Sequence, residues 1–140
     1  MPIATVNDYM TTKLITLDKD MNVFYAIGML LNNHISGAPV IDENKKLIGI
    51  LSEKDCLRIL ADESYSDMNF ANTILLGRGT VESFMTKKVF SVPSNTDLHS
   101  VAEIFLKNNY RRLPVLDGET IVGQISRRDL LKAINKNYQG

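Results

Sequence analysis

The sequence contains an internal repeat, which restricts its fold more than any other feature does. Met10-Thr11 recurs as Met85-Thr86, and Pro39-Val40 recurs as Pro114-Val115, both at an offset of 75 residues. Two copies of one pattern are expected to adopt the same secondary structure, because they share local preferences and apolar spacing. The chain is therefore predicted to contain one small folding unit twice.

The apolar spacing predicts the same elements in each copy. Apolar residues at i, i+3, i+4, i+7 and i+8 predict one amphipathic helix from Val23 and a second from Leu98, with Asn22 and Thr96 as N-caps. A β-prone stretch precedes each helix, and a β-hairpin and a final helix follow it. The predicted ranges of these flanking elements are 14–17, 38–41, 47–51 and 53–61 in the first copy, and 89–92, 113–116, 121–125 and 127–135 in the second. Each copy is thus predicted to be a β-α-β-β-α unit.

The repeat also predicts how the chain is divided. Residues 1–62 form the first motif, residues 63–79 a partly helical connector and residues 80–140 the second motif. Short helices within 5–10 and 80–85 are expected to lead into their respective repeats.

A Gly-x-x-Ser-x-x-Asp motif occurs once in each copy, at residues 49–55 and 123–129. These motifs are 74 residues apart, so the second copy has lost one residue between Asp117 and Gly123. A Ser followed by an Asp three residues later resembles a capping box, in which both side chains satisfy backbone N–H groups. A helix start can also bind a phosphate, while the Asp accepts both hydroxyls of a ribose. The motif alone leaves both interpretations open.

Composition and charge limit the function classes. The chain has 44% hydrophobic residues, and its 16 Lys+Arg balance 16 Asp+Glu, which argues against nucleic-acid binding. Residues 1–70 carry a net charge of −4 and residues 71–140 carry +4, so the second half is better suited to a phosphate.

Cysteine usage and the absence of targeting signals indicate the compartment. Cys56 is the only cysteine, which excludes an internal disulfide and favours a reducing compartment. No signal peptide or membrane-length apolar run is present, so a cytoplasmic location without membrane association is predicted. Neither His34 nor His99 has a partner at metal-ligand spacing, so no metal site is predicted. A nucleophile with a matched base is also missing, so the chain is not expected to be an enzyme.

The doubled and ordered set of motifs resembles tandem cystathionine-β-synthase (CBS) domains, the pair called a Bateman module. The resemblance covers nearly the whole chain, through Met-Thr, the amphipathic helix, Pro-Val-x-Asp and Gly-x-x-Ser-x-x-Asp. It implies an α+β (α/β-like) fold, with two pseudo-symmetric β-α-β-β-α CBS units packed through their sheets. Modules of this family commonly bind adenine nucleotides in two clefts.

For the main cleft, the resemblance assigns Asp129 to ribose hydroxyls and Ser126 to ribose or phosphate. Arg112, with Arg111 beside it, supplies forked donors for phosphate oxygens. The expected walls from the first copy and its lead segment are Met10, Ile15 and Ser36.

The second cleft is the weaker candidate. The resemblance places Asp55 and Ser52 there, with walls from Phe90 and Tyr110. Gly37 stands where the other copy has Arg112 and offers no phosphate donor. Whether this cleft is occupied stays open.

The resemblance implies a regulatory sensor that binds AMP, ADP or ATP, with magnesium accompanying ATP. Occupancy would be transmitted to an effector protein or to self-association, and homodimerisation through helices is expected. Two alternatives stay open. In one, the Ser-x-x-Asp pairs are only caps of a protein-interaction module. In the other, the ligand is S-adenosylmethionine. Arg112 disfavours this ligand, because its positive charge would repel the positively charged sulfonium.

Overall fold

The computed structural model describes residues 4–61 and 79–137, which contain two three-stranded sheets with helices around them. The chain divides into two compact units. The first-repeat unit is Ile15–Val89, and the second-repeat unit combines Met1–Leu14 with Phe90–Gly140. In chain order the described elements are α1 (Val6–Tyr9), β1 (Leu17–Asp18), α2 (Val23–Asn32), β2 (Gly37–Ile41), β3 (Leu47–Ser52), α3 (Glu53–Ala61), α4 (Val81–Phe84), β4 (Val92–Pro93), α5 (Leu98–Lys107), β5 (Arg112–Asp117), β6 (Thr120–Ser126) and α6 (Arg127–Asn137).

The two sheets have the same topology, as the repeat predicts. In the first-repeat unit β1 pairs in parallel with β2, and β2 pairs antiparallel with β3, with Gly37 opposite Ser52. In the second-repeat unit β4, β5 and β6 pair in the same way, with Arg112 opposite Ser126. Both predicted hairpins are therefore confirmed. The bounds of the predicted strands 14–17 and 89–92 are wrong, because β1 and β4 begin at the last residue of each range and only two residue pairs join each of them to the next strand.

The hairpin turns explain the one-residue difference between the copies. In the second copy Gly118 adopts a φ of 64°, a left-handed conformation that glycine tolerates without strain. In the first copy the longer turn is held by Asp42, whose Oδ1 accepts hydrogen bonds from the backbone N–H of Asn44 (2.8 Å) and Lys46 (3.0 Å). The deletion therefore falls in the turn, as predicted.

One of the two predicted helix caps is wrong. Asn22 caps α2 as expected, and its side chain accepts a hydrogen bond from the backbone N–H of Phe24 at 2.8 Å. The N-cap of α5 is Asp97 rather than Thr96, because the Asp97 side chain accepts from the backbone N–H of Ser100 at 2.8 Å. The Thr96 hydroxyl instead donates to the backbone oxygen of Pro93 at 2.7 Å.

The short lead helix of each repeat lies in the unit of the other repeat. Helix α4 joins the first-repeat unit, where the backbone N–H of Val81 donates to the Met21 oxygen at 2.8 Å. Helix α1 joins the second-repeat unit, where the backbone N–H of Val6 donates to the Thr96 oxygen at 2.8 Å. Each unit therefore combines sequence from both predicted motifs. Residues 62–78, which hold nearly all of the predicted connector, lie outside the described residues.

The glycine of each Gly-x-x-Ser-x-x-Asp motif makes room for this exchanged segment. A Cβ atom on Gly49 would lie 2.6 Å from Met85 Sδ and 2.9 Å from the Thr86 oxygen. A Cβ on Gly123 would lie 2.6 Å from Met10 Sδ and 2.9 Å from the oxygen of the following residue. Both distances are shorter than van der Waals contact, so the motif glycine is required by packing.

Each unit has its own hydrophobic core. In the first-repeat unit one face of the sheet packs against helices α2 and α4, and its buried residues are Leu17, Val23, Ala26, Leu30, Ala38, Val40, Leu51, Val81, Phe84 and Met85. In the second-repeat unit the buried core residues are Val6, Val92, Val101, Phe105, Leu113, Val115 and Ile125. The amphipathic spacing of α2 and α5 predicted the core residues that these two helices contribute, but its last apolar positions, Leu31 and Leu106, are exposed.

Candidate functional site

Ser126 and Asp129 cap helix α6 where strand β6 ends. The Ser126 backbone N–H donates to Asp129 Oδ2 at 2.8 Å, and the Asp129 backbone N–H donates to Ser126 Oγ at 3.1 Å. This reciprocal pair is a capping box, so the structure contains the cap that the motif alone suggested. Asp129 is only 7% exposed, and its Oδ2 is engaged by the Ser126 N–H.

The capping bonds leave part of this pair unused. A carboxylate has about four acceptor positions, and only the Ser126 N–H reaches Asp129 from the described residues. The Ser126 hydroxyl accepts one bond, and within the described ranges its own proton has no acceptor. No buried side-chain oxygen or nitrogen there lacks a partner, so Asp129 Oδ1 is reached by solvent. The pair can therefore accept and donate hydrogen bonds to a ligand.

Arginines surround this junction. Arg112 lies opposite Ser126 in the β5–β6 register, and the backbone oxygen of Arg111 accepts from the Arg127 N–H at 3.3 Å. Both Arg111 and Arg112 are exposed, and neither forms an ion pair with any residue that the structure describes. Guanidinium groups beside a helix N-terminus are well suited to phosphate oxygens.

Arg127 and Arg128 add two cations to which the sequence analysis gave no role. They are the first residues of α6, within the same motif, and both are exposed. Arg127 Nε donates to the Tyr110 backbone oxygen at 2.9 Å, which holds this guanidinium against the start of β5. Their position between Ser126 and Asp129 in the sequence could have indicated that they lie at the same helix start.

The predicted residues of the main cleft fall into both units. Asp129, Ser126, Arg112, Arg111 and Met10 all belong to the second-repeat unit, where the residue after Met10 pairs with Gln124 of β6. The other two predicted residues belong to the first-repeat unit and are half-buried, namely Ile15 and Ser36.

The equivalent pair in the first-repeat unit, Ser52 and Asp55, has more partners. Asp55 Oδ2 accepts from the Ser52 backbone N–H at 2.9 Å and from Ser52 Oγ at 3.0 Å. Asp55 Oδ1 accepts from Arg58 Nη2 at 2.9 Å and from Thr86 Oγ1 at 3.0 Å. The Ser52 hydroxyl also accepts from the Asp55 backbone N–H at 3.1 Å. This pair therefore forms an internal network that links α3 to the segment after α4.

The two aromatic residues predicted for the second cleft lie in the second-repeat unit. The rings of Phe90 and Tyr110 stack with centroids 5.6 Å apart and planes 16° from parallel. They are 47% and 38% exposed, so the stacked pair keeps an open surface.

The other titratable groups of the described residues form no second chemical site. Burial raises the pKa of the half-buried Cys56 thiol, and the negative charge of Asp55 raises it further. His99 Nε2 lies 2.7 Å from Glu103 Oε1 on the exposed face of α5. Among residues 4–61 and 79–137, no three His, Cys, Asp or Glu side chains are grouped to hold a metal ion. None of the helices described there has the length and apolar character needed to cross a membrane.

Comparison with known proteins agrees with the fold and the motif. The chain is 31% identical over 151 residues to CBSX1, a chloroplastic CBS domain-containing protein of Arabidopsis thaliana, which covers 94% of this chain and 64% of CBSX1. It spans as little as 15% of other relatives that it matches. The structure of Arabidopsis CBSX2 in complex with AMP is 28% identical, with a TM-score of 0.76, covering 94% of this chain and 96% of that chain.

A second solved structure has a different adenosyl ligand. The CBS domain pair of protein MJ0100, in complex with 5′-methylthioadenosine and S-adenosyl-L-methionine, is 25% identical with a TM-score of 0.72. The comparison covers 96% of this chain and 98% of that chain. The family profile of the CBS domain matches residues 6–62 and 81–136, which include both Gly-x-x-Ser-x-x-Asp motifs. The chain therefore belongs to the CBS domain family and carries the CBS motif twice.

Proposed function

We propose that this chain is a regulatory module that binds an adenine nucleotide at the Ser126–Asp129 junction. The observation that carries the proposal is the unused hydrogen-bonding capacity of a buried Asp129 carboxylate beside exposed arginines. A nucleotide offers the matching groups, because its ribose has two hydroxyl donors and its phosphates are anionic acceptors. Met10, which lies in the same unit, is proposed to contact the same ligand.

The proposed roles follow from the donors and acceptors available. Asp129 Oδ1 accepts the ribose hydroxyls, and the Ser126 hydroxyl donates to ribose or phosphate. Arg112 and Arg111 bind phosphate oxygens, and ADP or ATP would engage more of these cations than AMP does. Magnesium is proposed to accompany ATP only, since it is held mainly by substrate phosphates.

The AMP complex of CBSX2 supports an adenine nucleotide as the ligand. The S-adenosylmethionine complex of the MJ0100 domain pair supports the second candidate, another adenosyl compound. The charge near Ser126 favours the first candidate, because Arg111, Arg112, Arg127 and Arg128 would repel a sulfonium.

A binding module regulates through a change in population. The ligand binds one conformation of the protein more tightly than another and so raises its population. An effector protein or a second copy of the chain then binds that conformation with a different affinity.

A homodimer is proposed because apolar residues on α3 and α6 are exposed, namely Leu57 at 61%, Leu60 at 88%, Leu131 at 63% and Ile134 at 53%. We propose no catalytic step, and the single cysteine supports a reducing location such as the cytoplasm.

A thermal-shift titration with AMP, ADP, ATP and S-adenosylmethionine tests the ligand class. A ligand present at about 100 times its Kd should stabilise the folded state by about 2.7 kcal/mol, which raises Tm by several degrees. We expect a nucleotide to give this shift and S-adenosylmethionine to give a smaller one. No shift with any of the four compounds would contradict the proposal and leave the Ser-x-x-Asp pairs as caps.

A further inference from the structure

We propose that Arg58 closes the nucleotide site of the first-repeat unit from within, so that each chain binds one nucleotide instead of two. This inference rests on the proposed function, because it assumes that an open Ser-x-x-Asp pair binds a nucleotide. It concerns Asp55 and the position three residues after each motif Asp, which is Arg58 in the first repeat and Lys132 in the second.

The first step is a count of donors around Asp55. Four donors reach its carboxylate: the Ser52 N–H and hydroxyl on Oδ2, and Arg58 Nη2 and Thr86 Oγ1 on Oδ1. A carboxylate has about four acceptor positions, so this one is saturated. Ribose hydroxyls could bind only by displacing donors that are already in place. The Ser52 hydroxyl proton is committed as well, since Ser52 Oγ donates to Asp55 Oδ2 at 3.0 Å.

The second step is the geometry of Arg58. Its Nη2 donates to Asp55 Oδ1 at 2.9 Å and also to the backbone oxygen of Phe84. Its Nε lies 3.3 Å from the Asp55 backbone oxygen, to which it donates. A planar guanidinium can make these bonds together because its N–H groups point in fixed, diverging directions. Arg58 therefore joins α3 to the end of α4 and neutralises Asp55.

The third step is the comparison with the second-repeat unit. Lys132 occupies the position of Arg58, and Thr11 occupies the position of Thr86. Within the described ranges, neither side chain bonds to Asp129, whose carboxylate accepts only the Ser126 N–H. An ammonium on a flexible stem lacks the fork that lets Arg58 bridge two acceptors. The two motifs therefore share a sequence pattern but differ in how many donors bind the Asp carboxylate.

The surrounding charge agrees with this difference. Ser36 and Gly37 stand where the second repeat has Arg111 and Arg112, so the first motif lacks these phosphate donors. The first-repeat unit, residues 15–89, holds 8 Lys+Arg and 10 Asp+Glu for a net charge of −2. The second-repeat unit holds 8 and 6 for a net charge of +2. An anion is therefore favoured in only one of the two units.

Calorimetric titration with AMP tests the inference through stoichiometry. We expect one AMP per wild-type chain, and a value that rises toward two in Arg58→Lys, the second site being the weaker. The reciprocal change Lys132→Arg should place a guanidinium on the Asp129 carboxylate and weaken AMP binding by about 10-fold or more. The control Lys136→Arg should leave the affinity for AMP unchanged. Two AMP molecules per wild-type chain, or Arg58→Lys and Lys132→Arg both behaving like wild type, would overturn the inference.

A second measurement separates this inference from the proposed function. If wild-type protein binds no AMP, the proposed function fails, but the closure is still measured by urea unfolding of a double-mutant cycle. The effects of Asp55→Asn and Arg58→Lys on the free energy of unfolding should be non-additive, because each removes part of one hydrogen-bond network. Asp129→Asn and Lys132→Met should be additive. Additive effects in the Asp55–Arg58 cycle would overturn the closure whatever the ligand result.

Discussion

Arg58 Nη2 lies 2.9 Å from Asp55 Oδ1 and completes the hydrogen bonding of that carboxylate within the first-repeat unit. The equivalent carboxylate, Asp129, has the same capping bond but receives no such guanidinium from the described residues. The two halves of the repeat therefore use one motif in two ways. The first motif fastens a helix to an exchanged segment, and the second is proposed to bind a nucleotide.

The stability of the first-repeat unit should depend on Asp55 more than that of the second-repeat unit depends on Asp129. Replacing Asp55 by Ala removes a helix cap and leaves the Thr86 hydroxyl without its acceptor. It also takes the carboxylate away from Arg58, which keeps only its backbone acceptors. We expect the free energy of unfolding to fall by about 2–4 kcal/mol, against about 1–2 kcal/mol for Asp129→Ala, which loses mainly the cap. Urea denaturation of both variants measures the difference, and equal losses would contradict the network described for Asp55.

The motif glycines should not tolerate a methyl group. Gly49→Ala and Gly123→Ala place a Cβ 2.6 Å from a methionine sulfur and 2.9 Å from a backbone oxygen. Because the oxygen belongs to the paired segment, the strand must shift, and each change should cost about 1–3 kcal/mol. Gly28 is the control, since a Cβ there meets no atom within 4 Å. Gly28→Ala lies inside helix α2 and should stabilise by about 0.5–1 kcal/mol. Thermal unfolding of the three variants gives the comparison, and similar Tm changes would be inconsistent with the packing.

Arg112 should contribute to ligand affinity and little to folding. Its side chain is exposed and has no ion-pair partner in the parts of the chain that the structure describes. Arg112→Ala should weaken AMP binding by about 10- to 100-fold and reduce the dependence of affinity on KCl, because a charged contact is lost. Lys107→Ala, which removes an exposed cation paired with Glu103 at 3.7 Å, is the control. If the two variants bind AMP equally well, Arg112 has no phosphate role.

Cys56 should react slowly with alkylating reagents. Burial raises the pKa of its thiol from the ordinary value of 9.0, with Asp55 adding to the effect, so the thiolate is scarce near neutral pH. The folded state keeps its proton while the unfolded state ionises, so this group lowers stability as pH rises through that value. Iodoacetamide labelling at pH 8 should be slower in native protein than in the same chain unfolded by urea. Equal rates would contradict a thiol whose pKa is raised by burial.

Local sequence patterns predicted the elements because apolar spacing and turn residues act over short distances. Both amphipathic helices, both hairpins and the glycine turn at Asp117-Gly118 follow from such patterns. The cap of α5 was misplaced by one residue, because Thr96 and Asp97 are both good caps and only the backbone conformation selects Asp97. An offset of 75 from Asn22 leads to Asp97, so the repeat itself held the correction.

The exchange of lead segments could not be read from the sequence. Helices α1 and α4 have similar patterns, and nothing local indicates on which sheet each one packs. This exchange places Thr86 beside Asp55, a contact between residues 31 apart. The sequence nevertheless contained Arg58 one helical turn after Asp55, a spacing at which side chains meet. The second motif has Lys132 at this spacing, so the difference between a guanidinium and an ammonium was visible in the sequence.

The measurement that tests the central claim most directly is calorimetric titration of AMP into wild type, Asp129→Asn and Asp117→Asn. Asp129→Asn keeps an oxygen to accept the Ser126 N–H but removes the charge and one acceptor for the ribose hydroxyls. Asp117→Asn makes the same chemical change at the exposed end of strand β5. We expect wild type and Asp117→Asn to bind AMP with equal affinity, and Asp129→Asn to bind at least about 10-fold more weakly while remaining folded. Undiminished binding by Asp129→Asn, or no binding by folded wild type, would contradict a nucleotide site at Ser126 and Asp129.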